Sequence, residues 1–564
     1  MKERLWNSIP HEYRRRAIWV AITIFIRAIL NFIGIAMMIP LLVIMLDRDS
    51  LTTTPWFNDL YHLFGFTSYE GFVCGVCAAI VAIILVKNLL VILLYRFERD
   101  YIYSLYRTLS TRLFTNYYGR GLAFMKHSNS ALLTRNVNVV TLMFVAGILK
   151  PIATIAAEVM LLTLLIVALA CYSPMAALLA IVVFIPIMAL FYIAVRRRLN
   201  DIGVRENEAQ RTKSRIVSEC FRGYADIEVA GAFDQMLKRF DSAMDEVVTL
   251  RKRSSTIAIL PQMITEVGIA IALSALLIIS IYASTDNLSL LFGIFAVAAV
   301  RLIPSMRSIL SSWSSLRLNG YSIDTMNEAQ DILGINTANS TAKLTLNDKI
   351  CIDNLTFQFD DSDTPTINNL SLEIGKGERL GIRGTSGVGK TTLFNLLLGL
   401  YRPTSGRILI DGVELDETTC RSWQNSIGYV SQHVFIADMT LAENIALGCD
   451  SGNIDTERLN RAIELADIKE FIASLPNGVN SRIGEQGCRL SGGQRQRIGI
   501  ARALYKGCDI LLFDEATSSL DNQTEENINR AIRRLGATNR ELTIVVIAHR
   551  ESSLEYCDRV ITME

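Results

Sequence analysis

Charge of one sign is what this sequence lacks: 56 Lys and Arg stand against 55 Asp and Glu, a formal net charge of +1. Without a basic excess there is no global electrostatic case for nucleic acid, and no such partner is expected. Close cysteine pairing is nearly absent too. Ten cysteines are scattered along 564 residues. The one tight pair, Cys74 and Cys77, sits in an apolar run, where two small buried hydrophobes are expected rather than a redox or zinc site. No internal repeat is present. No signal peptide is expected either. Residues 1–16 are polar and basic, with Trp6, Ile9 and Tyr13 spaced to lay one face on a membrane surface. The apolar stretch that follows is too long for a signal core and shows no small-residue cleavage site near its end.

Long apolar runs dominate the first three hundred residues. Six spans are expected, at Ile18–Leu46, Phe72–Tyr95, Val140–Cys171, Met175–Val195, Ile257–Ala283 and Leu288–Ile303, each near or above the ~20 apolar residues a bilayer requires. Cations cluster at Arg14–Arg16, along 96–135 and at Arg196–Arg198, which places both termini in the cytosol. The two cytosolic connections are long, polar and helix-compatible, and stretches such as Glu206–Arg222 read as lever arms continuing out of the membrane. The expected organisation is an interfacial segment at 1–16, a transmembrane domain at 17–320, a linker at 321–348 and a soluble domain at 349–564. In the last, short apolar strands alternate with helices, the pattern of an α/β fold with a mainly parallel core.

Three motifs carry chemistry. The run Gly384-Thr385-Ser386-Gly387-Val388-Gly389-Lys390-Thr391 matches the phosphate loop GxxxxGK[ST], with a strand before it and a helix opening at Thr392. Its glycines let backbone N–H groups close around phosphates at a positive helix end. Lys390 supplies charge to the β and γ phosphates, and the Thr391 hydroxyl is a Mg²⁺ ligand. The run Ile510–Phe513 reads as a buried strand ending in Asp514 and Glu515; Asp514 is placed for the Mg²⁺ shell and Glu515 to polarise an attacking water. The third is Leu490-Ser491-Gly492-Gly493-Gln494, a hydroxyl and two glycines at a helix start.

In this order the motifs resemble the ATP-binding-cassette proteins: phosphate loop, Gln432, Ser491–Gln494, Asp514-Glu515 and finally His549. The resemblance implies ATP and Mg²⁺ as cofactors, ATP hydrolysis coupled to transport, Phe359 stacked on adenine (Phe357 as fallback), Gln432 sensing the metal, Ser519–Asp521 crossing a dimer interface and His549 at the γ-phosphate. It also implies that the Gly484-Glu485 loop meets the cytosolic levers. In that family Ser491–Gln494 cap nucleotide held by an opposing phosphate loop, so a second copy of the chain is the expected partner, as a homodimer. Six spans ahead of one cassette resemble half-size exporters of the type IV fold, an α-helical six-span transmembrane domain fused to an α/β P-loop domain. The expected location is the bacterial inner membrane, with the cassette in the cytosol.

Ionisable residues within spans are functional suspects: Arg27, Lys87, Glu158, Glu266 and Arg301. The aromatic 47–70 loop with Trp56 and Phe57, the cation Lys87 and the Arg301–Ser305 run resemble the flippases for lipid-linked oligosaccharides (PglK-like). Lys87 stands where that subfamily carries arginine, keeping charge without bidentate geometry. The implied cargo is a polyprenyl-pyrophosphate oligosaccharide, with membrane lipid as surroundings. The alternative is export of lipid A-type lipids, amphiphilic drugs or peptides.

Overall fold

The computed structural model describes residues 6, 9–38, 68–172, 174–282, 288–328, 343–484, 490–515, 525–526, 529–530, 532–533, 540–548 and 550–564. It divides into two compact units: Met1–Arg120 with Phe124–Leu333, and Gly121–Ala123 with Gly334–Glu564.

The first unit is all helix. Its long elements are α1 (His11–Ala36), α2 (Tyr69–Gly119), α3 (Lys150–Tyr172), α4 (Pro174–Arg222), α5 (Phe233–Tyr282) and α6 (Leu288–Leu318). Among the described residues, four helical stretches are long and apolar enough to cross a membrane: His11–Ala36, Glu70–Gly119, Ser130–Cys171 and Phe233–Ala275. The expected spans at 175–195 and 288–303 fall on α4 and α6. The 51, 49 and 50 residues of α2, α4 and α5 make each about 75 Å long at ~1.5 Å per residue, far beyond a hydrocarbon core of ~30 Å. Each is thus long enough to run on well past a bilayer, the geometry that lever arms would need. Polar residues hold them together: Arg205 on α4 meets Glu246 on α5 at 2.8 Å, and Arg251 on α5 meets Glu206 on α4 at 2.8 Å.

Three expectations change here. Helix α1 already starts at His11, inside the expected interfacial segment. Tyr13 is no membrane-facing residue: it is half-buried against α2, its hydroxyl 2.8 Å from Thr108 Oγ1 and its ring 6.0 Å from that of Tyr101. The linker does not begin at 321 either. Residues Tyr321–Glu328 form a helix whose Ile323 and Met326 are buried in the core built on Leu105, Leu113, Phe144 and Ile148.

The second unit layers two sheets. An antiparallel one runs in the order β2-β1-β4-β5, from β1 (Lys349–Phe357), β2 (Ile367–Gly375), β4 (Ser405–Ile410) and β5 (Val413–Glu414). The other is parallel throughout, β6-β7-β8-β3-β9, from β3 (Arg379–Gly384), β6 (Ile427–Val430), β7 (Ile510–Asp514), β8 (Thr543–Ile547) and β9 (Arg559–Met563). Every residue of β7 and β8 is buried, as continuous apolar runs in a parallel sheet covered on both faces should be. Helices α7 (Lys390–Leu397) and α8 (Gly492–Lys506) follow the two glycine motifs.

Candidate nucleotide site

The parallel sheet decides where chemistry collects. Strands β3, β7 and β6 end on the same side, and the loops leaving those carboxyl ends carry the phosphate loop, Asp514-Glu515 and Gln432. In open α/β sheets that edge is where ligands bind.

The loop from β3 to α7 turns on glycine. Gly387 and Gly389 have φ of 88° and 102°, a region that residues with a Cβ rarely adopt. Gly389 has no room either, since a Cβ there would stand 2.9 Å from the Thr366 carbonyl oxygen. Thr385, Ser386 and Gly387 lie exposed at the mouth of the loop, Val388 and Thr392 are half-buried, and Lys390 is 5% exposed. The Lys390 ammonium donates to the carbonyls of Gly384 and Thr385 at 3.0 and 2.9 Å, so the cation is held over the loop at the N-terminus of α7.

Asp514, 3% exposed, is reached by two hydroxyls: Thr391 donates to its Oδ1 at 3.2 Å and Tyr429 to its Oδ2 at 3.3 Å. Burial pushes its carboxyl above the ordinary aspartate value, although both hydrogen bonds and Lys390 oppose the shift. A desolvated carboxylate beside a hydroxyl is a pair of hard oxygens, the donor type Mg²⁺ prefers when phosphates complete its shell. The residues present therefore fit that ion.

Glu515 is held in the left-handed region at φ 48°, an unusual state for a residue with a side chain. Its N–H donates to the Ile547 carbonyl at 3.0 Å, and Gln432 Nε2 donates to its Oε2 at 3.1 Å. Behind Gln432, buried Gln496 on α8 donates to the Gln432 carbonyl at 2.8 Å. The sequence reading missed Tyr429 and Gln496. A tyrosine one residue before the end of a short buried strand was the available signal for the first; nothing local marks the second.

Ser491 caps α8. Its hydroxyl accepts from the Gln494 N–H at 3.2 Å, and the Gln494 side chain accepts from the Ser491 N–H at 2.8 Å, a reciprocal capping box. Ser491 is exposed, Gly492 and Gln494 are half-buried and Gly493 is buried. Of the two aromatics, Phe357 is core, stacked on Tyr401 at 5.2 Å, whereas Phe359 is half-buried and edge-on to both. His549, Ser519–Asp521, Glu485, Trp56 and Phe57 lie outside the described residues.

The phosphate loop, the acidic strand end and the capped glycine helix thus stand around one sheet edge, and residues 367–518 match the family model described as ABC transporter. A lipid A-core flippase of Bordetella avium is 30% identical over 74% of this chain and 71% of that protein. The chain belongs to the ABC transporter family. Another relative of this ABC transporter, the ATP-dependent lipid A-core flippase of Ralstonia nicotianae, is 31% identical over 68% of this chain, and the match spans 65% of that protein's length. The solved structure of a bacterial Atm1-family ABC exporter with ATP bound aligns at a TM-score of 0.75, covering 98% of this chain and 94% of that one at 23% identity. That likeness gives the fold: a helical membrane domain joined to a cassette.

Of the charges suspected within the helical unit, all but Lys87 have a polar partner among the described residues. Arg27 meets Glu98 at 3.1 Å, with side chains 6% and 8% exposed, and lies 4.2 Å over the Tyr95 ring. Arg301 stands 3.9 Å from Glu158, whose same oxygen accepts from Ser305 at 2.7 Å. Glu266 accepts from Gln262 at 3.1 Å. Lys87 is half-buried, and a Cβ on Gly34 of α1 would lie 3.2 Å from its Nζ.

Proposed function

We propose that this chain is half of an ATP-driven exporter that flips an amphipathic lipid across the cytoplasmic membrane, two copies enclosing ATP between their cassettes. Support for the lipid cargo comes from the relatives, which carry the name lipid A-core flippase. The class first set as the alternative, lipid A-type lipids, thus has better support than the polyprenyl-pyrophosphate oligosaccharide.

One observation carries the ATPase assignment: buried Asp514, 3.2 Å from Thr391, sits next in sequence to Glu515, which Gln432 orients. In this reading the Gly384–Thr392 loop binds the phosphates through its N–H groups, with Lys390 countering the charge on the β and γ positions. Thr391, Asp514 and Gln432 would hold Mg²⁺, which when bound would supply positive charge to the phosphates. Glu515 orients the attacking water and accepts its proton, with His549 at the γ-phosphate. Phe359 stacks on the adenine, and Ser491–Gln494 of the opposing copy close the site through a helix N-terminus. A lone cassette then has half of each site, which makes the homodimer the working unit.

The test is ATPase stimulation in proteoliposomes presented with lipid A-core glycolipid, a polyprenyl-pyrophosphate glycan, phospholipid and an amphiphilic drug. Stimulation by the glycolipid alone is expected. Strong stimulation by the polyprenyl glycan and none by lipid A-core reverses the cargo assignment. In the same assay Lys87→Ala and Arg301→Ala should abolish flipping while basal hydrolysis persists; flipping that survives both changes removes these residues from the cargo path.

A further inference from the structure

The helical unit holds a cavity of about 780 Å³ that the nucleotide chemistry does not use. Its wall comes from the Ser130–Arg135 helix and the turns after it as far as Met143, from α4 and α5, and from the turn after α6, and neither Lys87 nor Arg301 lines it. Arg135 is the centre of the argument. Nη2 donates to buried Asn207 at 2.7 Å, and Nη1 is buried with no partner. Its described hydrogen-bond partner is thus neutral, and a second cation, Arg211, lines an adjoining pocket with it.

A guanidinium edge buried without a counter-charge is costly, and Arg135 Nη1 is such an edge. The rest of the wall adds to the imbalance. Lys213, Arg222 and Arg251 line the same cavity against the single carboxylate of Glu206, which Arg251 already engages at 2.8 Å. Arg222 has a neutral partner, Ser130, at 2.7 Å. A forked donor with a free edge, three more cations and one committed carboxylate describe a receptor for a tetrahedral oxyanion. The volume falls in the range of small-ligand sites, ~300–1,000 Å³, so more than a lone phosphate fits.

We propose that this cavity binds a phosphate-bearing anion, gripped by Arg135 and surrounded by Lys213, Arg222 and Arg251, as a site distinct from the cassette. The assignment does not depend on the cargo named above. The anion's source is either a lipid headgroup or a free phosphate ester, which share this chemistry.

The experiment uses the full chain in phosphatidylcholine nanodiscs with ADP saturating the phosphate loop. Labelled inorganic pyrophosphate is titrated in one arm; in the other, phosphatidic acid is added to the nanodisc and retained lipid is counted by native mass spectrometry. Binding in either arm is expected, falling about tenfold or more in Arg135→Gln, as loss of a bidentate charged contact requires, and recovering in Arg135→Lys to within about threefold. Pyrophosphate binding alone marks a soluble anion, phosphatidic acid retention alone a headgroup. If Arg135→Gln fails to assemble, Lys213→Gln with Arg222→Gln replaces it, with the same loss expected. Wild-type protein that binds neither probe overturns the proposal, as does binding that neither variant alters. Crosslinking of an Arg135→Cys chain to an acidic segment of its twin, with no anion bound, assigns the cavity to the dimer interface and overturns it as well.

Discussion

Replacing Glu515 with glutamine isolates its chemistry from its position. The backbone at 515 is fixed independently of the carboxylate, by the N–H bond to Ile547 and by a φ of 48° at the end of β7. Gln432 donates to the side-chain oxygen at 3.1 Å, and an amide keeps an oxygen able to accept it. On the proposed role, what the variant loses is a base. General-base assistance is worth about 10²–10⁴ in rate, or about 3–5 kcal/mol of barrier. In detergent or nanodiscs, steady-state phosphate release from Glu515→Gln should fall by that factor, while nucleotide affinity, read by a fluorescent analogue, stays within about threefold of wild type. Hydrolysis above about a third of the wild-type rate refutes the base assignment. Loss of binding together with hydrolysis refutes it differently, by making Glu515 a structural residue.

Gly389→Ala should destroy nucleotide binding rather than slow the chemistry: a left-handed φ costs an alanine about 1–2 kcal/mol, and its methyl would press on the Thr366 carbonyl at 2.9 Å. Equilibrium binding checks this, and affinity retained within about twofold counts against a phosphate-cradling loop. Asp514→Asn should abolish hydrolysis yet raise the thermal midpoint of the nucleotide-free protein near neutral pH. The sign follows from linkage: the folded carboxyl titrates above its ordinary 3.8, so its contribution is complete below that value and lost as pH rises through the folded one. The gap between variant and wild type should therefore narrow as pH falls toward that ordinary value, and a gap that widens is the wrong sign. Trp423 is 1% exposed and its Nε1 donates to the Leu397 carbonyl at 2.8 Å. Trp423→Phe should cost the cassette about 1–3 kcal/mol by orphaning that carbonyl and leaving a void, read as a lower thermal midpoint with nucleotide affinity unchanged.

The cassette was legible in the sequence to the extent that backbone geometry dictates residue type. A loop that needs φ near 100° and tolerates no Cβ must carry glycine, and a helix start that closes on itself selects Ser491 and Gln494. Such demands are local, so they survive as short strings. Tyr429 and Gln496 act across strand and helix packing, 85 and 64 residues from the groups they touch, and leave no local string. The limits of the first unit were blurred for another reason. Apolar composition marks where lipid begins but not where a helix does, so α1 runs back to His11 and Tyr321–Glu328 continues the membrane core instead of leaving it.

Cargo chemistry is harder to read because a charge within a span has two explanations, a partner or a ligand, and the choice rests on residues far away. The structure removes some candidates. Arg27 was a suspect until Glu98 of α2 stood 3.1 Å away with both side chains almost fully buried, which satisfies the pair internally. Arg301 is compromised less. Its 3.9 Å approach to Glu158 is loose, that carboxylate oxygen already accepts from Ser305, and Arg301 Nε is buried without a partner. Lys87 has no carboxylate partner among the described residues, and its ammonium lies against α1 at Gly34. Charge left over after pairing is what an anionic headgroup can use. That argument puts Lys87 first and Arg301 second among substitutions that should separate flipping from hydrolysis, and it predicts that Arg27→Gln lowers stability without altering cargo preference. A shift in cargo preference in Arg27→Gln protein of normal thermal midpoint breaks it.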